Sequence, residues 1–105
     1  MPLTATGFVN QGEIDSGVCD AEKAFSPDVV RILYSLGEDN AESPAIFFRV
    51  LVRDEAAPAA RLHGLSQRLA IALMNSTRTE ENGLNAYFNY RSVSEQEKLR
   101  DPDWE

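Results

Sequence analysis

Residues 45–53 read AIFFRVLVR, and this stretch decides the fold. In an extended strand successive side chains point to opposite faces of the sheet. One face would be wholly apolar, carrying Ile46, Phe48, Val50 and Val52. The other would mix apolar and basic side chains, from Phe47, Arg49, Leu51 and Arg53. Aromatic and β-branched residues suit a pleated, packed surface, so we predict a strand whose two faces differ in polarity.

The preceding segment, residues 29–36, allows two interpretations. Val30, Ile32, Tyr34 and Leu36 alternate as in a strand. Helical spacing also fits, because residues 26–28 (Ser-Pro-Asp) suit a helix start and Gly37 suits a helix end. We predict a strand, since the strand at 45–53 needs a partner, and residues 37–44 then form the polar loop of a hairpin.

A long helix is predicted after the hairpin, from Asp54 as its cap to about Asn75. Its apolar stripe has helical spacing and comprises Leu62, Leu65, Leu69, Ala72 and Leu73. A third strand is predicted from Leu84 to Val93. Residues 94–97 have the spacing of a capping box, which predicts a short helix to about Arg100. Trp104 is expected to fold back on the body.

The predicted fold is a single α+β domain of 105 residues. Residues 1–26, which include Gly7, Gly12 and Gly17, form an irregular N-terminal arm that allows a helical turn at residues 20–25, and residues 27–105 form the body. The body is a three-stranded, mostly antiparallel sheet with the long helix on one face and a short C-terminal helix. The β-β-α-β succession makes the third strand parallel to the second, and we place the first strand centrally, giving the order 2-1-3.

Composition narrows the function classes. The net charge of −7 disfavours binding to phosphate backbones and to anionic lipid. A single cysteine, Cys19, excludes a disulfide framework. The N-terminus lacks the pattern of a secretory signal, and no apolar run approaches the ~20 residues that span a membrane. We therefore expect a cytoplasmic protein without membrane contact.

Catalytic constellations are scarce. The sequence has no Cys/His metal spacing, no glycine-rich phosphate loop and no nucleophile elbow, so we predict neither a metal nor a cofactor. Cys19 lies beside Asp20, whose negative charge makes a thiol a weaker nucleophile. The acids of the 37–44 loop match no calcium motif. One weak enzyme hypothesis is left, with His63 acting beside Tyr34 or Tyr90 in a helix–sheet pocket.

The sheet face away from the helix is more informative. Twelve predicted positions on it include four arginines and no acid. Arginine and aromatic residues are enriched in protein interfaces. The candidate binding residues are Arg31, Phe47, Arg49, Arg53, Tyr87, Asn89 and Arg91.

Three occupants of this face are considered. The N-terminal arm would cover it with Phe8, Val9, Ile14 and Phe25, and Glu13 or Asp15 would supply counter-charge. Alternatively it meets another protein or a second copy of the chain. As a third possibility, Phe47 and Tyr87 stack on the bases of a single-stranded nucleic acid, which the net charge makes unlikely. We predict a non-enzymatic protein-interaction module that forms a homodimer.

Overall fold

The computed structural model describes residues 10–105. In chain order its main elements are helix α1 (Gln11–Ala24), strands β1 (Val29–Glu38) and β2 (Pro44–Val52), helix α2 (Ala59–Ser76), strand β3 (Asn85–Ser92) and helix α3 (Val93–Leu99). Single 3-10 turns occur at Asp54–Ala56 and Pro102–Trp104. The predicted α+β class is confirmed.

The sheet of the described residues has the strand order β1-β2-β3. Strand β1 is antiparallel to β2, and β3 is parallel to β2 as predicted. The order 2-1-3 is therefore wrong, and the sheet is mixed rather than mostly antiparallel. Strand β2 is central because it alone is covered on both faces, with every residue buried or half-buried. Strand β1 carries exposed Arg31, Ser35 and Glu38, which an edge strand tolerates.

Residues 29–38 form a strand and not the alternative helix. A β-bulge near its start shifts the register, because Val29 pairs with Val52 whereas Arg31 pairs with Leu51. Val29 consequently points into the core, and Val30 is 50% exposed. Strict alternation predicts the reverse, with Val30 on the apolar face and Val29 on the other face, because a regular pattern does not include the extra residue of a bulge.

The irregular N-terminal arm is wrong for residues 11–24, which form α1. The Asn10 side chain caps the helix by accepting a hydrogen bond from the Glu13 N–H at 3.0 Å. Ile14, Val18 and Ala21 are buried against the core. Gly12 and Gly17, which suggested an irregular chain, belong to the helix, and Gly17 lets α1 approach the end of α2 closely. Residues 1–9 of the predicted arm lie outside the described residues.

Helix α2 lies on the apolar face of the sheet, as predicted, with Leu65, Leu69 and Leu73 buried. It begins later than expected, after a 3-10 turn and with Pro58 at its N-cap. Asp54 does not cap it. The Asp54 carboxylate instead accepts hydrogen bonds from the Ser94 N–H and hydroxyl, so it ties the end of β2 to α3.

Helix α3 starts two residues earlier than the predicted box. Ser92 caps it and exchanges hydrogen bonds with Glu95, forming a capping box at residues 92–95 rather than 94–97. Arg100 then adopts a left-handed conformation and ends the helix. The chain turns back, and Trp104 is only 6% exposed, which confirms that it folds onto the body.

Candidate functional site

The sheet face opposite α2 is called the open face. Its described residues, read from the strand register, are Arg31, Leu33, Ser35, Phe47, Arg49, Leu51, Tyr87, Asn89 and Arg91. The register sets Leu33, Arg49 and Asn89 side by side across the three strands. Six of the seven predicted binding residues thus share one surface.

Arg53, the seventh, lies beyond the end of β2 and has another partner. Its Nε donates to Asp28 Oδ1 at 2.7 Å, and Arg61 Nη2 donates to the same oxygen at 3.2 Å. The hydrogen bond from Arg53 is the main reason why the pKa of Asp28 is lowered. Arg53 therefore joins the start of β1 to the end of β2 and is not part of the open face.

The C-terminal segment, residues 100–105, lies across the arginine-bearing end of the open face. Arg49 Nε donates to the Asp103 carbonyl at 2.7 Å, and Arg31 Nη1 donates to the Glu105 carbonyl at 3.3 Å. Arg49 also donates to the Ser35 hydroxyl at 3.1 Å, which holds the guanidinium across β1 and β2. Two of the three open-face arginines thus bind main-chain oxygens of one short segment, whose residues 102–104 form a 3-10 turn.

Arg91 binds the same segment through a side chain. Its guanidinium carbon lies 4.3 Å from the centre of the Trp104 ring, within the range of a cation–π contact. It also donates to Gln96 Oε1 at 2.8 Å and lies 3.6 Å from an Asp101 carboxylate oxygen. Buried Gln96 in turn donates to the Asp101 carbonyl and to the Glu105 carboxylate. Helix α3 therefore fixes both the arginine and the segment that it holds.

Cover by the N-terminal arm, one of the three alternatives for this face, does not occur for residues 10–26. Ile14 and Phe25 pack with the core on the α2 side of the sheet. Glu13 lies 3.9 Å from Arg78, and Asp15 accepts a hydrogen bond from Tyr34. Phe8 and Val9 fall outside the described residues. The groups that meet the open-face arginines come from the opposite end of the chain, and they include the Asp101 carboxylate.

The other end of the open face is aromatic. The rings of Phe47 and Tyr87 stack with centres 5.4 Å apart, and Tyr87 is 41% exposed. The Tyr87 hydroxyl donates to Asp39 at 2.7 Å, and Asn85 donates to the same carboxylate oxygen at 3.1 Å. These bonds, led by that of Tyr87 and joined by the Ser43 and Ala41 N–H groups, lower the pKa of Asp39 to about 2.

Two grooves accompany the open face. One, of about 760 Å³, runs between α3 and the C-terminal segment and is lined by Leu51, Val93, Gln96, Glu97, Arg100 and Glu105. The other, of about 340 Å³, lies at the aromatic end between Phe47, Tyr87 and the loop at residues 38–41. Each has a floor that includes at least one open-face residue.

The structure does not bring His63 together with Tyr34 or Tyr90 in a pocket, as the enzyme hypothesis requires. His63 is exposed on α2, and its side chain has no hydrogen-bond partner among residues 10–105. Tyr90 is half-buried, its hydroxyl lies 3.5 Å from the Ser66 carbonyl, and burial raises its pKa to about 12. Tyr34 is bonded to Asp15 rather than to His63. Neither groove on the open face includes these residues.

Comparison of the chain with known protein families, with curated proteins and with solved structures finds no match. Among residues 10–105, every helix falls short of the length and apolar character that crossing a bilayer requires. We therefore infer the function from the geometry of the open face alone.

The sequence pointed to the arginines and aromatics but not to the segment that they hold. A signal for it exists. The segment that follows Arg100 carries three acids and the single tryptophan in five residues, whereas the predicted face carries arginines and no acid. This complementarity of charge predicts that the C-terminal segment packs on the arginine-bearing face. The periodicity of the strands carries no information about such a contact, because it describes each element separately.

Proposed function

We propose that the protein is a non-enzymatic interaction module that binds a short, acidic, aromatic peptide segment of a protein partner across the open face. One observation carries the proposal: Arg31, Arg49 and Arg91 already hold such a segment, the C-terminal residues of the chain itself. The contacts combine charge-assisted hydrogen bonds with a cation–π contact, and these are directional enough to give a peptide its register.

Several features of the face support binding of a peptide rather than of a small substrate. Two of the arginines bind main-chain oxygens of residues 103 and 105, and any peptide main chain offers such acceptors. Trp104 supplies the anchoring side chain, and aromatic anchors dominate the energetics of many interfaces. The exposed Phe47–Tyr87 pair continues the surface beyond the C-terminal segment, which leaves room for a longer partner.

A partner must compete with the segment attached to the chain. An attached ligand acts at an effective concentration of about millimolar, so weakening it exposes the intrinsic affinity of the face. Trp104→Ala serves this purpose because it removes the anchor of the segment. Trp104 also lies outside the main hydrophobic core, so the fold should survive its removal.

The test is a titration of the full-length Trp104→Ala chain with a peptide of residues 100–105, RDPDWE. Trp104 is the only tryptophan of the chain, so the variant is silent and all tryptophan fluorescence comes from the peptide. We expect a saturable change in the emission of the peptide, weakened by added salt because Arg91 pairs with the Asp101 carboxylate and the peptide is acidic.

A matched pair of arginine variants makes the test specific. Arg49→Ala in the same background should weaken peptide binding by roughly tenfold or more, the cost of a hydrogen bond to a charged group. Arg68→Ala removes an exposed arginine of α2, away from the open face, and should leave binding unchanged. Absence of saturable binding at millimolar peptide, with a native circular dichroism spectrum, would contradict the proposal.

A further inference from the structure

The two edges of the sheet are treated differently. At the β1 edge the Glu22 carboxylate accepts a hydrogen bond from the Ile32 N–H at 2.7 Å, so a helix side chain occupies a position where a strand could pair. The bulge after Val29 further distorts this edge. Acidic side chains, bulges and covering helices are the usual means of protecting an edge from pairing.

The β3 edge has none of these protections among the described residues. Its sequence, NAYFNYRS, contains no proline, glycine, lysine or acid. Its main chain pairs with β2 on one side, and residues 85–91 make no main-chain hydrogen bond to described residues outside β2. A strand of eight residues with this composition presents a regular row of main-chain donors and acceptors that have no partner among residues 10–105.

The core is also incompletely closed along β3. Ile46, Phe48 and Val50 of the central strand are fully buried, whereas their neighbours Ala86, Phe88 and Tyr90 are only partly buried. The nearby helix shows the same pattern: Ser66 contacts Tyr90, and Met74, two turns further on the same side of α2, is 39% exposed. An apolar margin therefore runs along the free edge.

We propose that a second copy of this chain pairs with β3 in an antiparallel manner about a two-fold axis at Asn89, giving one continuous six-stranded sheet. In this register Tyr87 lies opposite Arg91 of the second copy, and Phe88 lies opposite Tyr90 of the second copy. Both members of each pair share a face of the sheet, as cross-strand neighbours do. The two α2 helices lie on the same side and cover the apolar margins together.

The side chains of β3 complement a second copy of the same strand, because the proposed register sets an aromatic ring opposite an arginine and two aromatic rings opposite each other. The chain has a net charge of −7, yet β3 carries no acid and only one charged residue, Arg91. In the proposed register the two Arg91 residues are offset by about 14 Å along the strand, at about 3.4 Å per residue. This exceeds the Debye length of about 10 Å at 0.1 M salt, so their repulsion is screened. Identical chains also supply strands of matched length.

The mass in solution tests the inference. Light scattering during gel filtration should give twice the monomer mass of 11.7 kDa for the wild-type chain. Asn89→Lys places two like charges face to face at the axis and should give the monomer, because Asn89 is exposed and its replacement leaves the fold intact. Gln67→Lys, at an exposed position of α2, is the matched control and should remain dimeric.

A disulfide provides a second measurement. In a Cys19→Ser background, which removes the exposed native thiol, Asn89→Cys should cross-link into dimers on mild oxidation. Ser35→Cys, exposed on β1, should not cross-link. A wild-type monomer at all concentrations, or an Asn89→Lys variant that stays dimeric, would overturn the inference. Dimerisation and peptide binding are separate readouts, so failure of one does not decide the other.

Discussion

At the scale of single residues, Gly17 and Asp39 determine how neighbouring segments of the chain meet. Gly17 sits where α1 meets the end of α2, and a Cβ at this position would lie 2.4 Å from the Ser76 carbonyl oxygen. The Ser76 hydroxyl donates to the Gly17 carbonyl at 3.0 Å, so the contact is also bonded. Asp39 similarly accepts hydrogen bonds from four donors, two in the loop between β1 and β2 and two on β3.

Gly17→Ala is expected to destabilise the protein by about 2 kcal/mol, because the added methyl collides with backbone that cannot shift without moving α2. Gly12→Ala is the matched control in the same helix. A Cβ there would meet only the Asn10 side chain, at 3.6 Å, so the better helix former should stabilise by up to about 1 kcal/mol. Urea unfolding measures both. Equal effects of the two substitutions would contradict the close helix contact.

The Asp39 network predicts a pH dependence of stability. Its pKa is about 2 in the folded chain against an ordinary 3.8, so the ionised carboxylate favours the folded state. This contribution is complete above pH 3.8 and is lost as the pH falls through about 2. Asp39→Asn should therefore reduce the loss of stability between pH 5 and pH 2, followed as the urea midpoint.

Tyr87→Phe tests the cause of that shift, since the Tyr87 hydroxyl is the largest contributor to the lowered pKa of Asp39. The phenylalanine variant should show a pH dependence between those of the wild type and Asp39→Asn. A variant series with parallel stability profiles from pH 5 to pH 2 would mean that Asp39 does not titrate as the network implies.

At the scale of elements, short helix α3 has a role out of proportion to its length. It is a helix of seven residues whose start is secured by the Ser92–Glu95 capping box. Through Gln96 it positions Arg91 and the C-terminal segment. Helix α3 thus positions the arginine end of the open face. An isolated peptide of seven residues would not form a stable helix, so α3 depends on its cap and on its packing in the protein.

Ser92→Ala should cost about 1 kcal/mol of stability and also loosen the C-terminal segment, because the cap holds the helix that carries Gln96. The second effect is specific and can be followed as greater acrylamide quenching of Trp104, which is buried in the wild type. Glu97→Ala alters an exposed residue of the same helix outside the box and should leave quenching unchanged. Unchanged quenching of Trp104 in Ser92→Ala would show that the Ser92 cap does not hold the C-terminal segment in place.

At the scale of the whole molecule, the two sides of the sheet are closed by opposite ends of the chain. Helices α1 and α2 cover the apolar face, while the C-terminal segment covers part of the open face. The acidic average of the sequence therefore conceals a local pairing of the open-face arginines with the C-terminal segment and its acids. The peptide-binding and dimer proposals use different parts of this arrangement, the open face and the β3 edge.

The sequence by itself determined the three strands, the long α2, the short α3 and the division of the sheet into an apolar and an arginine-bearing face. These features follow from the period of each segment, which a local pattern of side chains encodes. The incorrect predictions from the sequence also arose from local patterns. The glycines of α1 masked a helix that is stabilised by packing, and the bulge at Val30 broke an alternation assumed to be regular.

Only the tertiary structure decided the strand order, the docking of α1 and the cover of the open face. Each depends on a contact between residues far apart in the chain, such as Gly17 with Ser76 or Arg49 with Asp103. Local patterns state which surfaces must be buried, but the shapes and charges of the remaining elements select which of them does the covering. Strand β2 (Pro44–Val52) is central for that reason: it needs cover on both faces, and the chain supplies part of this cover from each of its ends.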